Sequence, residues 1–222
     1  GRVLGEIPVG REPNSVALNM DGSRAYVANT LSGTVSVINT QTRAVSETIN
    51  DVGVEPRALV FTPNFTKLYV ACSSSNEVVI INPATNRISN RITSPAFRNL
   101  FALTVTNNGD ANDDDEFLYV TSLLAEYVPG ASPRPADDTG KEGIVHVISV
   151  GNDRVQAQVG LPSMETGFRS NGRARNASGD GIAADANPNS FTVPTLAFPN
   201  QLTSIAGTRQ NNQNLIYTFS TG

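Results

Sequence analysis

An all-β chain assembled from copies of one four-stranded antiparallel unit is predicted by three observations. A short phrase recurs: Arg24-Ala-Tyr-Val-Ala-Asn29, Lys67-Leu-Tyr-Val-Ala-Cys72 and Phe117-Leu-Tyr-Val-Thr-Ser122. The flanking residues keep the offset of the first two copies, 43 positions from Tyr26 to Tyr69. Short Val, Ile and Thr runs are punctuated by 18 Gly and 13 Pro, the pattern of strands and turns with little helix. Self-similarity at a fixed period describes an array of supersecondary units that bury their faces against one another.

The elements follow in order. The first unit, 10–52, holds strands at about 15–20, 25–29, 34–39 and 44–50. Asp21-Gly22 and Ser32-Gly33 supply the positive-φ positions that tight hairpins need. The second unit, 53–94, repeats it: Glu55-Pro-Arg57 restates Glu12-Pro-Asn14, and Glu77-Val-Val-Ile-Ile-Asn82 restates Thr34-Val-Ser-Val-Ile-Asn39. The third, 95–160, keeps strands at about 101–106, 117–122 and 144–149 but is swollen. An acidic turn (107–116) and a long Pro-, Ala- and Asp-rich loop (123–143) interrupt it. Residues 161–193 are polar and aperiodic and read as a further irregular insertion. The last unit, 194–222, restates the first strand at 199–206 and the Tyr-Val strand at Leu215-Ile-Tyr-Thr-Phe-Ser220.

A period of about 40–45 residues with four strands marks a β-propeller blade. Residues 3–9 read as the outermost strand of another blade, and the count is about three and a half units. Propellers close with about four to eight blades, so this number leaves two raw sheet edges. Three resolutions are expected: a longer propeller of which this is a fragment, a partner or second copy supplying the remaining blades, or long loops rebuilding the missing strands.

Composition narrows the function. A net charge of -4 and the lack of a basic stripe argue against a nucleic-acid-binding surface. No apolar run reaches membrane-spanning length. The single Cys72 lies within a strand phrase and reads as a buried structural thiol.

The stretch from Gly10 to Ile49, and again from Gly53 to Ile92, carries Gly-x-x-Pro, then Tyr-Val-Ala, then Val-x-Val/Ile-Ile-Asn. It resembles the YVTN family of β-propeller repeats, and the resemblance covers about half the chain well. It implies an extracytoplasmic protein, that is periplasmic, secreted or cell-surface. The swollen third unit, followed by Ala197-Phe-Pro-Asn-Gln201, looks like larger bacterial propellers found with c-type haem domains related to di-haem cytochrome c peroxidases.

Within the acidic turn, Asp110, Asn112, Asp114 and Glu116 place oxygens at alternating positions, like the first half of a calcium loop. The central Gly and the bidentate Glu of such loops are absent, so a solvated acidic turn is the competing reading. His146, the only histidine, occupies the slot of Ser36 and Val79 and reads as a packing or hydrogen-bonding residue. No Gly-x-Ser-x-Gly elbow and no Cys-x-x-Cys-His is present. Arg169, Arg173 and Arg175 lie among glycines and read as a soluble loop or an anion contact. Asn64-Phe-Thr66 and Asn176-Ala-Ser178 are formal glycosylation sequons.

These readings converge on a binding or scaffold propeller without a catalytic centre of its own, contacting a protein partner through inter-strand loops. The alternatives are a redox-associated propeller docking a haem domain and a lactonase-like hydrolase. Too few histidines are present to make the hydrolase attractive.

Overall fold

The computed structural model describes residues 1–127, 141–161, 164–170, 193–197, 202–210 and 213–220. Strands β1 (Pro13–Leu18), β2 (Arg24–Asn29), β3 (Thr34–Asn39) and β4 (Ala44–Ile49) form one antiparallel sheet in chain order. A second is built in the same way from β5 (Pro56–Phe61), β6 (Leu68–Cys72), β7 (Glu77–Asn82) and β8 (Arg87–Thr93). The third contains β9 (Leu100–Val105), β10 (Phe117–Ser122), β12 (Lys141–Ser149) and β13 (Arg154–Leu161), with the short β11 (Glu126–Tyr127) paired to the start of β12. Two strand pairs follow: β14 (Met164–Ser170) with β15 (Val193–Ala197), and β16 (Leu202–Gln210) with β17 (Gln213–Ser220). Among the described residues no helix is long and apolar enough to cross a membrane.

The unit is copied down to its irregularities. The phrase tyrosine pairs with the first strand at Ala17, Val60, Thr104 and Ala206 in successive sheets. The ladder between the third and fourth strands shifts at Val37/Ile38, Ile80/Ile81 and Val147/Ile148, a bulge that increases the local twist each time. The turn closing that hairpin places Arg43, Asn86 and Asp153 at φ of 55°, 54° and 55°. Asn and Asp tolerate this left-handed conformation and Arg does so less readily.

The sheets stack face on face. First strands β1, β5, β9 and β16 lie side by side in that order, as the inner strands of a ring do. Between the first two sheets, Tyr26, Ala28, Val35 and Val37 pack on Leu59, Phe61, Leu68, Val70 and Ile81. Between the second and third, Tyr69, Ala71, Val78 and Ile80 pack on Leu103, Val105, Leu118, Val120 and Ile148. The fourth blade is seated in turn by Val145 and Tyr119 against Leu202, Ile205 and Ile216. Each fully buried aliphatic or aromatic side chain contributes about 1.5–3 kcal/mol, so these three seams are the core.

Three expectations are corrected. Residues 3–9 form no strand: no ladder partner is present among the described residues, and Ile7 and Val9 instead lie against Ala25, Val27 and Ile38. The segment 161–193 is not irregular throughout, because β14 pairs with β15; a register shift between Glu165 and Arg169 spans Gly167, which hides the alternation. The loop 123–143 is narrower than expected, since Glu126 and Tyr127 pair with Glu142 and Lys141 and prolong the hairpin.

Candidate functional site

The acidic turn is held by its own hydrogen bonds and by the neighbouring blade. Glu116 is buried, with Thr106 Oγ1 donating to one carboxylate oxygen and the Asn108 amide to the other. The Asn112 amide donates to Asp110 Oδ1 at 2.7 Å, and Asn108 Nδ2 donates to Asp110 Oδ2 at 2.9 Å. Asn112 Oδ1 in turn accepts from the Asp114 amide at 3.1 Å. The four residues read from sequence as calcium ligands sit in one turn, where Asp110, Asn112 and Glu116 accept hydrogen bonds. Among the described residues no three His, Cys, Asp or Glu side chains form a group able to hold a metal ion.

The residue of this turn that reaches furthest is Asp113, which the alternating pattern skipped. Its Oδ1 accepts from the Asn64 amide at 3.0 Å and from Asn64 Nδ2 at 2.9 Å, and its Oδ2 accepts from Thr66 Oγ1. Burial pushes the carboxyl up, but the donors on Thr66, Thr62 and Asn64 outweigh it and hold Asp113 below the usual aspartate value. The insert of the third blade thus latches onto the β5–β6 turn of the second. Gly151 completes the seat, because a Cβ there would stand 2.5 Å from the Asp114 carbonyl oxygen.

A second set of locks uses the phrase tyrosines. Tyr26 donates its hydroxyl to Asn86 Oδ1 at 2.7 Å, and Asn86 Nδ2 donates to Glu47 Oε2 at 2.7 Å. One blade on, Tyr69 donates to Asp153 Oδ1 at 2.8 Å. Lys67 Nζ joins it, donating to the same oxygen at 2.8 Å and to the Val150 carbonyl at 2.7 Å. Each tyrosine buries its ring in one seam and ties its hydroxyl to the left-handed turn residue of the next sheet. Burial and the Asp153 charge raise the Tyr69 hydroxyl far above its ordinary value, so it stays a donor. Arg43, Asn86 and Asp153 align by the repeat, so a polar residue recurs at this turn position in each of the first three blades.

His146 lies fully buried on β12, edge-on to Phe97 with ring centroids 4.9 Å apart. Gln158 Nε2 lies 3.3 Å from Nδ1 and Ser122 Oγ lies 2.9 Å from Nε2. Gln158 can only donate there, which assigns the proton to Nε2 and makes Ser122 the acceptor. Desolvation pushes the imidazole down to about 4, so it is neutral at neutral pH. The expectation of a packing, hydrogen-bonded histidine matches this geometry. Cys72 is also buried, its thiol pushed up to about 12 by burial and then by Glu77, and it donates weakly to the Val52 carbonyl. Arg169 falls in β14, while Arg173, Arg175 and Asn176 lie outside the described residues. An open groove of about 400 Å³ runs between β4 and β8, lined by Glu47, Thr48, Asn86 and Arg87.

No known protein family matches this sequence. No curated protein matches it either. Among solved structures, a chain of Kuenenia stuttgartiensis hydrazine synthase matches 76% of this chain at 22% identity with a TM-score of 0.58. The WD40 repeats of RRP9 and the structure of U3-55K match 68% at 11% identity, with TM-scores of 0.50 and 0.51. Repeated four-stranded antiparallel sheets stacked in sequence and these matches decide the architecture. The chain is a partial β-propeller. It spans about two fifths of the length of each of these structures, 42%, 39% and 40%. At such identities the likeness shows the fold alone.

Proposed function

We propose that this chain is part of an extracytoplasmic β-propeller scaffold that binds a protein partner through the expanded loops of its third blade. It has no catalytic centre of its own in this reading. One observation carries it: the ionisable and polar side chains that stand out in the sequence are engaged in holding blades or turns in place. Asp113, Glu116, Lys67, Asp153 and His146 are all engaged in seams or turns. The stack then carries connections of unequal length along the sequence, the expanded ones of the third unit being the acidic turn 107–116 and the segment 123–143. Long loops on a rigid frame are where propellers and other scaffolds place recognition. The extracytoplasmic placement rests on the YVTN resemblance of 10–49 and 53–92.

The test compares the chain with a variant in which 128–140 is replaced by a short Gly-Ser turn, both used as cross-linking baits in extracts of the source organism. A protein recovered by the first and lost with the second supports the reading; equal recovery by both removes the loop from it. A Soret band in the recovered partner would favour the haem-docking alternative.

A further inference from the structure

Asn14, Arg57 and Phe101 hold matching places near the start of β1, β5 and β9. Each lies two residues before the partner of the phrase valine, where Val16 pairs with Val27, Leu59 with Val70 and Leu103 with Val120. In the first two blades the ladder skips this place, with register shifts between Pro13 and Ser15 and between Pro56 and Ala58. In the third the partners jump from Leu103 to Leu100 across it. A bulge re-aims the side chain it frees. The place carries an amide, a guanidinium and an aromatic ring in successive blades, so the fold itself does not demand an arginine there.

Arg57 is turned onto the next blade. Its Cζ lies 5.3 Å from the centroid of the Phe101 ring, within cation–π range. Only 26% of its side chain is exposed, and Nη2 stands 3.6 Å from Glu55 Oε2, too far for a hydrogen bond. Nε is buried and has no acceptor among the described residues. Arg91 and Arg98, both more exposed, are better bonded. Arg91 Nη1 donates to the Val52 carbonyl at 3.2 Å and lies 3.0 Å from Glu77 Oε2. Arg98 Nη1 donates to the Pro95 and Phe97 carbonyls at 2.7 and 2.8 Å. Arg57 is thus held by stacking more than by hydrogen bonds, and an unmet buried donor is costly.

The connection that the third unit expands starts at the same end of the sheets. The Leu123 amide donates to the Asn99 carbonyl at 2.9 Å, as the Ser73 amide does to the Glu55 carbonyl one blade earlier. The segment 123–143 therefore leaves β10 beside the residues that lead into Phe101. Resting on the partner-binding reading above, we propose that Arg57, stacked on Phe101, seats an aspartate or glutamate side chain of the protein partner. The planar guanidinium fork matches a carboxylate and keeps its ring contact while doing so. A carboxylate arriving at the exposed edge meets uncommitted donors, and a turn of the guanidinium over the ring brings Nε to it. One cation beside Glu55 balances a single negative charge, whereas a phosphate dianion would be left in excess against Glu55.

The measurement is fluorescence anisotropy of a labelled hexaglutamate peptide titrated with the 222-residue chain, with hexaglutamine as the uncharged control. The variants are R57Q, R57K and R87Q. Arg87 pairs with Asn82 at the far end of the second sheet, so R87Q matches the charge change of R57Q away from the seat. Hexaglutamate is expected to bind and hexaglutamine not to. R57Q is expected to weaken binding about 10-fold or more, the worth of a charge-assisted pair. R57K, which keeps the charge and loses the fork, is expected to weaken it about 3-fold, and R87Q by less than about twofold. Thermal melts check that each variant is folded. Absence of hexaglutamate binding, equal weakening by R57Q and R87Q, or full strength in R57K each overturns the proposal. The cross-linking bait separates this seat from the loop reading. Wild-type recovery of a loop-dependent partner by R57Q overturns the seat and leaves the loop reading standing. Equal recovery without 128–140 removes the loop reading, while an Arg57-dependent titration still supports the seat.

Discussion

The seam between the first and second blades and the seam between the second and third share one apolar skeleton and differ in their polar parts. Tyr26 meets a neutral amide, Asn86, whereas Tyr69 meets a carboxylate, Asp153, that also binds Lys67. Val79 on β7 is replaced by His146 at the matching place on β12, and only the later seam has the Asp113 latch. The difference teaches that the repeat specifies burial while single positions decide which seam responds to pH. Titration is concentrated in the seam that faces the swollen blade.

The shared skeleton can be broken first. Leu68 and Leu118 hold matching places on β6 and β10 and are both fully buried. Leu68→Ala and Leu118→Ala are each expected to cost about 4 kcal/mol in urea unfolding, and losses differing by more than a factor of two would end the equivalence.

His146 sharpens the contrast. Its folded-state value of about 4 lies below the ordinary 6.5, so the unfolded chain takes up the proton first as pH falls. Stability is complete above about pH 6.5 and declines as pH drops toward about 4, by on the order of 3 kcal/mol across the window. His146→Gln is expected to flatten that acid limb; an unchanged limb would assign it elsewhere.

The locks come next. Asp153→Ala strands Lys67 and the Tyr69 hydroxyl and is expected to cost about 2–3 kcal/mol, against about 1 kcal/mol for Asn86→Ala. Equal losses would show that the charge adds nothing. Smaller still is the latch: Asp113 is held below its ordinary value, so its contribution persists above about pH 4 and fades as pH falls through the folded value. Asp113→Asn removes that dependence in a melting series below pH 4.5. The smallest effect is expected from chelation. Asp110, Asn112 and Glu116 already accept hydrogen bonds within the turn, so melting with and without EGTA should agree within about 1 °C. A larger drop would establish calcium on Asp110, Asn112, Asp114 and Glu116.

Much of this was legible in the sequence because a propeller blade depends on side-chain alternation and turn chemistry, both local. The β2, β6 and β10 phrases and the 43-residue offset could be read directly. What escaped depended on distant partners. Residues 3–9 have strand-like composition, but a strand exists only where a ladder partner lies beside it. Asp113 is one carboxylate among several neighbours along the chain, and only the approach of Asn64 and Thr66 from the previous blade distinguishes it. The β14–β15 pairing joins segments far apart in sequence across a Gly-interrupted alternation, which no short window reveals.

Among the described residues the first three sheets pack on one another in order, so protection from solvent along the stack is graded rather than uniform. The second blade is flanked on both faces, and the amides of β6 and β7 are expected to exchange with deuterium only through the largest openings. The first blade, with Val16 and Leu18 bare, and the hairpin of β16 and β17 are expected to open earlier and more often. Exchange rates of this kind would rank the blades by how many of their faces are covered, without any reference to the sequence.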